Sequence, residues 1–183
     1  MNSGDEDKFA DLYARYSRQV GAYCRRRTDP DQVDDVTADV FLTVWRKIGE
    51  APDGEETLRW LYRIAYLVLS NHRRRNGRRN TLDSRLRAIS PVSTTPLQEQ
   101  VVMRQELREV LEAAARLRPR DQEILRLSLW EHLSHEDIGV VLGIEPNAVK
   151  QRLHRARKAL AREHERMTKR PSRTPAARSG GGW

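Results

Sequence analysis

Residues 134–160, SHEDIGVVLGIEPNAVKQRLHRARKAL, predict two helices joined by a tight turn. Ser134, followed three residues later by Asp137, is typical of a capped helix start, because the hydroxyl can accept a hydrogen bond from a free backbone N–H group. Gly143 stands where a helix commonly ends in a left-handed residue. Pro146 suits the first turn of the next helix, where its missing N–H group costs nothing. The stretch therefore predicts a helix-turn-helix.

The second of these helices divides into two faces. The apolar face consists of Val149, Leu153, Ala156 and Leu160. The opposite face is polar and basic, and it consists of Asn147, Lys150, Gln151, His154, Arg155 and Lys158. Lys and Arg can reach guanine acceptors or phosphates, and Asn and Gln can pair with adenine, so we interpret this face as a major-groove surface. The alternative is an ordinary surface helix of a small bundle.

Helical periodicity continues through most of the chain. Apolar residues at steps of three and four predict a helix from Asp31 to Ile48, a helix before it between Phe9 and Tyr23, and a third from Thr57 to Arg75. Residues 81–100 lack this periodicity and are rich in Ser, Thr and Pro. We expect an all-α protein of two small helical domains, 1–80 and 101–170, joined by a flexible linker at 81–100 and followed by a disordered tail at 171–183.

The composition of the chain excludes several classes of protein. The 183 residues include 34 Lys and Arg against 26 Asp and Glu, a net charge of +8, and the lone Cys24 cannot form an internal disulfide. No apolar run approaches the ~20 residues that span a bilayer, so we expect no membrane insertion. The acidic start at residues 5–7 argues against a secretory signal. We therefore predict a basic protein of the cytoplasm.

A second basic segment lies in the first half. Residues 59–66, RWLYRIAY, interleave arginines with aromatic residues, and more polar and basic residues follow. Aromatic faces can stack on unpaired bases while arginines hold the backbone, so this helix is a candidate single-strand surface. Its candidate contacts are Arg59, Trp60, Arg63, Asn71, Arg73, Arg74, Arg75 and Arg78. The alternative is that Trp60 and Tyr62 are core residues, which we expect for at least one of the two.

The helix from Asp31 to Ile48 has an acidic outer face that includes one leucine, formed by Asp34, Asp35, Asp39 and Leu42. Such a face could dock a basic partner helix, or it could be a solvated surface. The three acids share one helix and lack a converging ligand from elsewhere, so we expect no metal, no cofactor and no catalytic site. An enzyme such as a nuclease is therefore not favoured.

Three motifs, in this order and spacing, resemble a bacterial RNA polymerase sigma factor of the sigma-70 family, extracytoplasmic-function (ECF) subgroup. They are DDVTADVF at 34–41, WLYRIA at 60–65 and VKQRLHRAR at 149–157. The resemblance extends from about Phe9 to Arg162. Ala38 and Leu67 depart from it, since members usually carry Gln and Asn at those positions.

The resemblance implies a promoter-specific initiation factor with two DNA-binding regions. The acidic helix would bind the clamp coiled coil of the polymerase β′ subunit, and the second domain would dock on the β flap. The helix carrying Trp60 and the loop at 50–56 would capture the melted −10 strand, and the helix starting near Pro146 would recognise the −35 duplex. An anti-sigma protein is a further partner that is common in this subgroup.

The competing hypothesis is a regulator, activator or repressor, that acts on duplex DNA through the helix-turn-helix alone. Homodimerisation on a palindromic operator would favour it. It leaves the basic, aromatic helix of the first half unexplained.

Overall fold

The computed structural model describes residues 3–76 and 99–169, and all regular structure in these ranges is helical. The first half contains α1 (Ser3–Arg25), α2 (Val33–Arg46) and α3 (Glu56–Asn76). The second half contains α4 (Glu99–Ala115), α5 (Pro119–Leu129), α6 (His135–Leu142) and α7 (Pro146–Thr168). The all-α prediction is confirmed for the described part of the chain.

The helices of the first half pack through their apolar stripes. Val20 of α1, Val40 of α2 and Leu61 of α3 are each fully buried in a shared core. The helix predicted from Asp31 to Ile48 is shorter than expected, because single 3-10 turns at Pro30–Gln32 and Ile48–Glu50 flank it. Each turn overlaps one end of the predicted range and extends beyond it, the first to Pro30 and the second to Glu50.

The second half is a small bundle in which α7 packs against α4, α5 and α6. Val149, Leu153 and Ala156, the predicted apolar face of α7, are buried, and Leu160 is half-buried against the same core. No helix of the described ranges is long and apolar enough to span a bilayer.

The two halves contact each other directly, which the sequence did not predict. Helix α3 of the first half packs along α6 of the second, and the buried side chains of both halves form one continuous apolar cluster. The proposed linker at 81–100 and tail at 171–183 lie almost wholly outside the described residues, although α4 begins at Glu99. The contact places two separately predicted DNA-binding elements side by side.

Candidate nucleic-acid interface

The turn between α6 and α7 has the geometry that its sequence predicts. The Ser134 hydroxyl accepts a hydrogen bond from the Asp137 backbone N–H at 3.0 Å and donates to the Asp137 carboxylate at 2.9 Å. Gly143 adopts a left-handed conformation, with φ 67°. A side chain on Gly139 would come within 2.7 Å of the Ile144 carbonyl oxygen, so this close approach requires glycine.

Helix α7 presents its polar face to solvent. All six residues predicted for this face are exposed: Asn147, Lys150, Gln151, His154, Arg155 and Lys158. Pro146 occupies the first turn of α7, as predicted, and Glu145 at the N-cap position makes no side-chain capping bond. Because the opposite face is buried, the exposed face is fixed in orientation relative to the turn.

The acidic surface on α2 borders an apolar groove. Asp34, Asp35 and Asp39 are exposed, and Leu42 is 52% exposed. Helices α1 and α2 enclose a groove of about 780 Å³, lined by Glu6, Phe9, Tyr13, Asp34, Thr37, Ala38, Phe41, Leu42 and Trp45. The rings of Phe9 and Trp45 in this groove pack edge to face, with their centroids 5.1 Å apart. The groove combines an apolar floor with a negatively charged rim.

Some of the polar side chains of α3 are exposed to solvent, and others form hydrogen bonds with the rest of the protein. Asn71, Arg74 and Arg75 are exposed, with Arg74 donating to the Asn71 side-chain oxygen at 3.1 Å. Arg73 donates to the backbone carbonyl of Arg27 at 3.2 Å. Arg78 lies outside the described residues. Only part of the predicted single-strand surface therefore faces solvent in this conformation.

The two arginines nearest the start of α3 contact the helix-turn-helix. Arg59 donates to the Asp137 carboxylate at 2.8 Å and also pairs with Glu56. Arg63 donates to the backbone carbonyl of Val141 at 3.0 Å. The structure places both residues against α6 in this conformation, and their expected contact with DNA stays a prediction.

The aromatic residues of α3 also differ in exposure. Tyr62 is buried and stacks on Tyr23 with ring centroids 4.8 Å apart. Trp60 is half-buried at the edge of the core. The expectation that at least one of the two is a core residue is confirmed by Tyr62.

A buried charge cluster, which sequence reasoning missed, links the two halves. It consists of Tyr23 and Arg27 at the end of α1 and Glu123 and Glu131 in and after α5. The Glu123 carboxylate accepts from the Tyr23 hydroxyl and from Arg27 Nε, both at 3.0 Å. Arg27 Nη1 donates to Glu131 at 2.8 Å. The only signal in the sequence is that Glu123 directly precedes the apolar run of α5.

Burial and neighbouring charge set the protonation of this charge cluster. Burial raises the pKa of Glu123, but the positive charges of Arg27 and Arg126 outweigh it and hold that pKa below its usual range. Burial also raises the pKa of Tyr23 well above its usual value, and that of Tyr62 to about 12. At neutral pH the charge cluster therefore contains an ionised Glu123 and a neutral Tyr23, and the Tyr62 stacked on it is also neutral.

Comparison with known proteins decides the family. Residues 12–79 match the model of sigma-70 region 2, and residues 107–160 match that of sigma-70, region 4. The RNA polymerase sigma factor CarQ of Myxococcus xanthus is 30% identical over 156 residues, covering 85% of this chain and 88% of CarQ. The chain belongs to the ECF group of the sigma-70 family. The ECF sigma-E factor of Escherichia coli K12 is 26% identical, covering 87% of this chain and 88% of its own.

Solved structures share the fold. The sigma factor RpoE of Bartonella quintana, in complex with the anti-sigma factor NepR, superposes with a TM-score of 0.62 at 22% identity. The match covers 86% of this chain and 96% of that one. CnrH, in complex with the cytosolic domain of CnrY, superposes with a TM-score of 0.58 at 22% identity, covering 86% of this chain and 88% of that one.

Membership of this family assigns the function class. This ECF sigma factor directs promoter-specific transcription, and the regulator that acts without replacing the sigma subunit is not favoured. Sigma factors are transcription initiation factors and not enzymes. Within residues 3–76 and 99–169, no group of three or more His, Cys, Asp or Glu side chains could hold a metal ion.

Proposed function

We propose that this ECF sigma factor binds core RNA polymerase through α2, holds the opened −10 strand on α3 and recognises the −35 duplex with α7. The proposal extends the family assignment to individual residues. It rests mainly on the exposed face of α7, whose six polar and basic side chains lie opposite a buried apolar stripe. The chain would perform no catalytic step of its own and would act in the cytoplasm.

The spacing of the α7 side chains suits a short duplex element. Lys150, Gln151, His154 and Arg155 project from one side of the helix within six residues, a rise of about 7.5 Å from the first to the last. That length covers a few base pairs of the major groove, so these four would contact base edges. Asn147 and Lys158 flank them, at positions suited to neighbouring phosphates.

The groove between α1 and α2 suits a basic amphipathic helix. The apolar floor would bury the apolar side chains of the partner helix, and the carboxylates at the rim would attract the basic side chains that flank that apolar face. Leu42, which lines the groove and is itself exposed, contributes to this apolar area. We assign this surface, with Asp34, Asp35 and Asp39, to the clamp coiled coil of the β′ subunit.

The −10 surface is assigned to α3. Asn71, Arg74 and Arg75 are exposed along one end of the helix, where cations would lie near phosphates of a single strand. Arg73 lies beside them and is half-buried, and Trp60, also half-buried, lies near the opposite end of the helix. Docking of the second domain on the β flap and binding of an anti-sigma protein complete the set of partners that we propose.

Transcription in vitro tests the function directly. The purified protein is mixed with sigma-free core polymerase and a fragmented genomic library from its host, and transcript starts are mapped. We expect discrete starts that share two spaced upstream elements. Duplex binding without polymerase association and without transcripts would instead support the regulator hypothesis.

Charge reversal tests the polymerase surface. Asp35→Arg combined with Asp39→Arg should weaken core polymerase binding, because it replaces the negative rim with a repulsive one. Glu106→Arg makes the same kind of charge reversal at an exposed acid on α4 and serves as the control. Unchanged polymerase affinity in a folded double variant would contradict the clamp assignment.

A further inference from the structure

We propose that Lys8 is a positioning residue for −10 recognition, because it holds the loop at residues 51–55 in the shape in which that loop meets an unpaired base. This 51–55 loop connects the 3-10 turn at Ile48–Glu50 to α3. The inference rests on the proposed function of α3. It goes beyond it by making a side chain of α1, a different helix, necessary for the choice of base.

Two side chains from different helices hold the start of the 51–55 loop. The Lys8 ammonium of α1 donates to the Ala51 carbonyl oxygen at 2.7 Å. The Thr57 hydroxyl of α3 donates to the next carbonyl oxygen, that of Pro52, at 2.8 Å. Ala51 and Thr57 are themselves buried. Both ends of the loop are therefore fixed to the packed helices of the first half.

The tip of the loop depends on these two anchors. Asp53, Gly54 and Glu55 are exposed, and Gly54 has φ 71°. A Cβ atom added to Gly54 would meet no atom of the described residues within 4 Å, so packing does not set the conformation of the tip. The Thr57 backbone N–H donates to the Gly54 carbonyl oxygen at 3.3 Å, which ties the tip to the start of α3.

The hydrogen bond from Lys8 to the Ala51 carbonyl contributes more to the loop than the ion pair of the same ammonium. Lys8 Nζ lies 3.3 Å from the Asp53 carboxylate, but that side chain is 93% exposed, and water screens an exposed ion pair. The Ala51 carbonyl accepts a charge-assisted bond at a partly buried site. Without the ammonium this carbonyl must find another donor, which requires the loop to move.

The loop lies at the end of α3 where Trp60 offers a ring to an unpaired base. Trp60 follows Glu56, the first residue of α3, by four residues, which is about one turn, and it is half-buried. A base that stacks on the accessible part of this ring is therefore within reach of the loop. A loop that is already ordered loses less conformational entropy when it contacts a base, and its polar groups fit fewer alternatives.

Binding of holoenzyme to fork-junction DNA tests the role of Lys8. Each fork carries a mapped promoter whose −10 bases are unpaired on the non-template strand and are replaced one position at a time. We expect the parent to bind about 10-fold more weakly when the base at the loop is wrong, and Lys8→Gln only about 2-fold more weakly. Because each ratio compares two forks with the same holoenzyme, any change in core binding cancels.

Three further variants separate positioning of the loop from a general effect of charge or stability. Lys8→Arg keeps a cationic donor and should retain the selectivity of the parent. Thr57→Val removes the second anchor at nearly constant volume and should lower selectivity as Lys8→Gln does. Arg18→Gln removes an exposed cation from the same helix and should leave selectivity unchanged.

Hydrogen exchange of the free protein measures the loop itself. The backbone amides of residues 53–57 should exchange about 5-fold faster in Lys8→Gln than in the parent, while those of α2 keep their rates. Lost selectivity with unchanged exchange would show that Lys8 does not act through the loop and would overturn the inference.

The fork-junction ratios also distinguish this inference from the proposed function. Parental selectivity in a folded Lys8→Gln variant, even with weaker binding to every fork, would overturn the role of Lys8 and leave the −10 assignment of α3 standing. Equal affinity of the parent for all forks would overturn both.

Discussion

The phenolic hydroxyl of Tyr23 donates to the carboxylate of Glu123 across 3.0 Å, joining two residues that are 100 positions apart in the chain. Arg27 lies over the Tyr23 ring, with its guanidinium carbon 3.5 Å from the ring centroid, and donates to the same carboxylate. One buried aromatic residue thus contributes a hydrogen bond and a cation–π contact to the junction between the two halves.

Removing this hydroxyl should measurably weaken the junction. Tyr23→Phe keeps the ring and its contacts with Arg27 and Tyr62, but deletes a hydrogen bond to a charged acceptor, which contributes roughly 1.5–3 kcal/mol. We expect a loss of that order in the free energy of unfolding measured with urea. Tyr13→Phe, at a position that is 50% exposed, is the control and should change it by less than about 0.5 kcal/mol. Equal effects at both positions would show that the buried hydroxyl contributes nothing.

Acid should destabilise the junction. The pKa of Glu123 is held below its usual 4.5, and the hydrogen bonds from Arg59 and Ser134 lower the pKa of Asp137 below 3.8 against the effect of burial. A lowered folded-state pKa contributes stability that is complete above the unfolded value and is lost as pH falls through the folded one. Stability should therefore decline below about pH 4.5.

Thermal unfolding between pH 7 and pH 3 measures this decline. Glu123→Gln removes the titrating carboxylate, so its curve should be flatter over that range although it starts from a lower stability. A variant that keeps the slope of the parent would show that other carboxylates cause the acid sensitivity.

Local sequence chemistry predicted the helix-turn-helix closely. The Ser134 cap, the left-handed Gly143 and the Pro146 start depend on hydrogen bonds and backbone angles within a few residues, and these were recognisable without tertiary information. The burial of Val149 and Leu153 followed from the apolar stripe. Each of these predictions is confirmed.

The contact between the halves was not predictable in the same way. Arg59 and Arg63 belong to a run of arginines whose composition suits DNA, and only the fold shows that Asp137 and the Val141 carbonyl take up their donors. Partners 78 positions apart leave no periodic signal, because each residue looks like an ordinary surface charge on its own helix. The assignments of single residues to DNA or polymerase remain predictions.

A better N-cap residue at the start of α7 should stabilise the protein. Glu145 at the N-cap position makes no side-chain capping bond. Glu145→Ser would add a cap of about 1 kcal/mol, and would lose a favourable interaction of the acid with the helix dipole of about 0.3–1 kcal/mol. We expect a net gain of about 0.5 kcal/mol in the free energy of unfolding.

Glu145→Ala separates the two contributions, because it removes the charge without adding a hydroxyl. It should be less stable than the parent, whereas the serine variant should be more stable. Equal stabilities of the alanine and serine variants would show that the new hydroxyl does not cap α7.

Arg155 should distinguish recognition of bases from attraction to phosphates. Its side chain is exposed in the middle of the polar face of α7, where a guanidinium can pair with guanine acceptors. Arg155→Ala should cost about 1–3 kcal/mol of binding free energy on a −35 duplex taken from the mapped promoters, and much less on a duplex with that element scrambled.

Arg162→Ala, at an exposed arginine two turns further along α7, removes the same charge and is the matched control. Its loss should be small and equal on both duplexes, because a contact to phosphate does not depend on sequence. An Arg155→Ala loss that is equal on both duplexes would assign this residue to the backbone and leave the choice of −35 sequence to its neighbours Gln151 and His154.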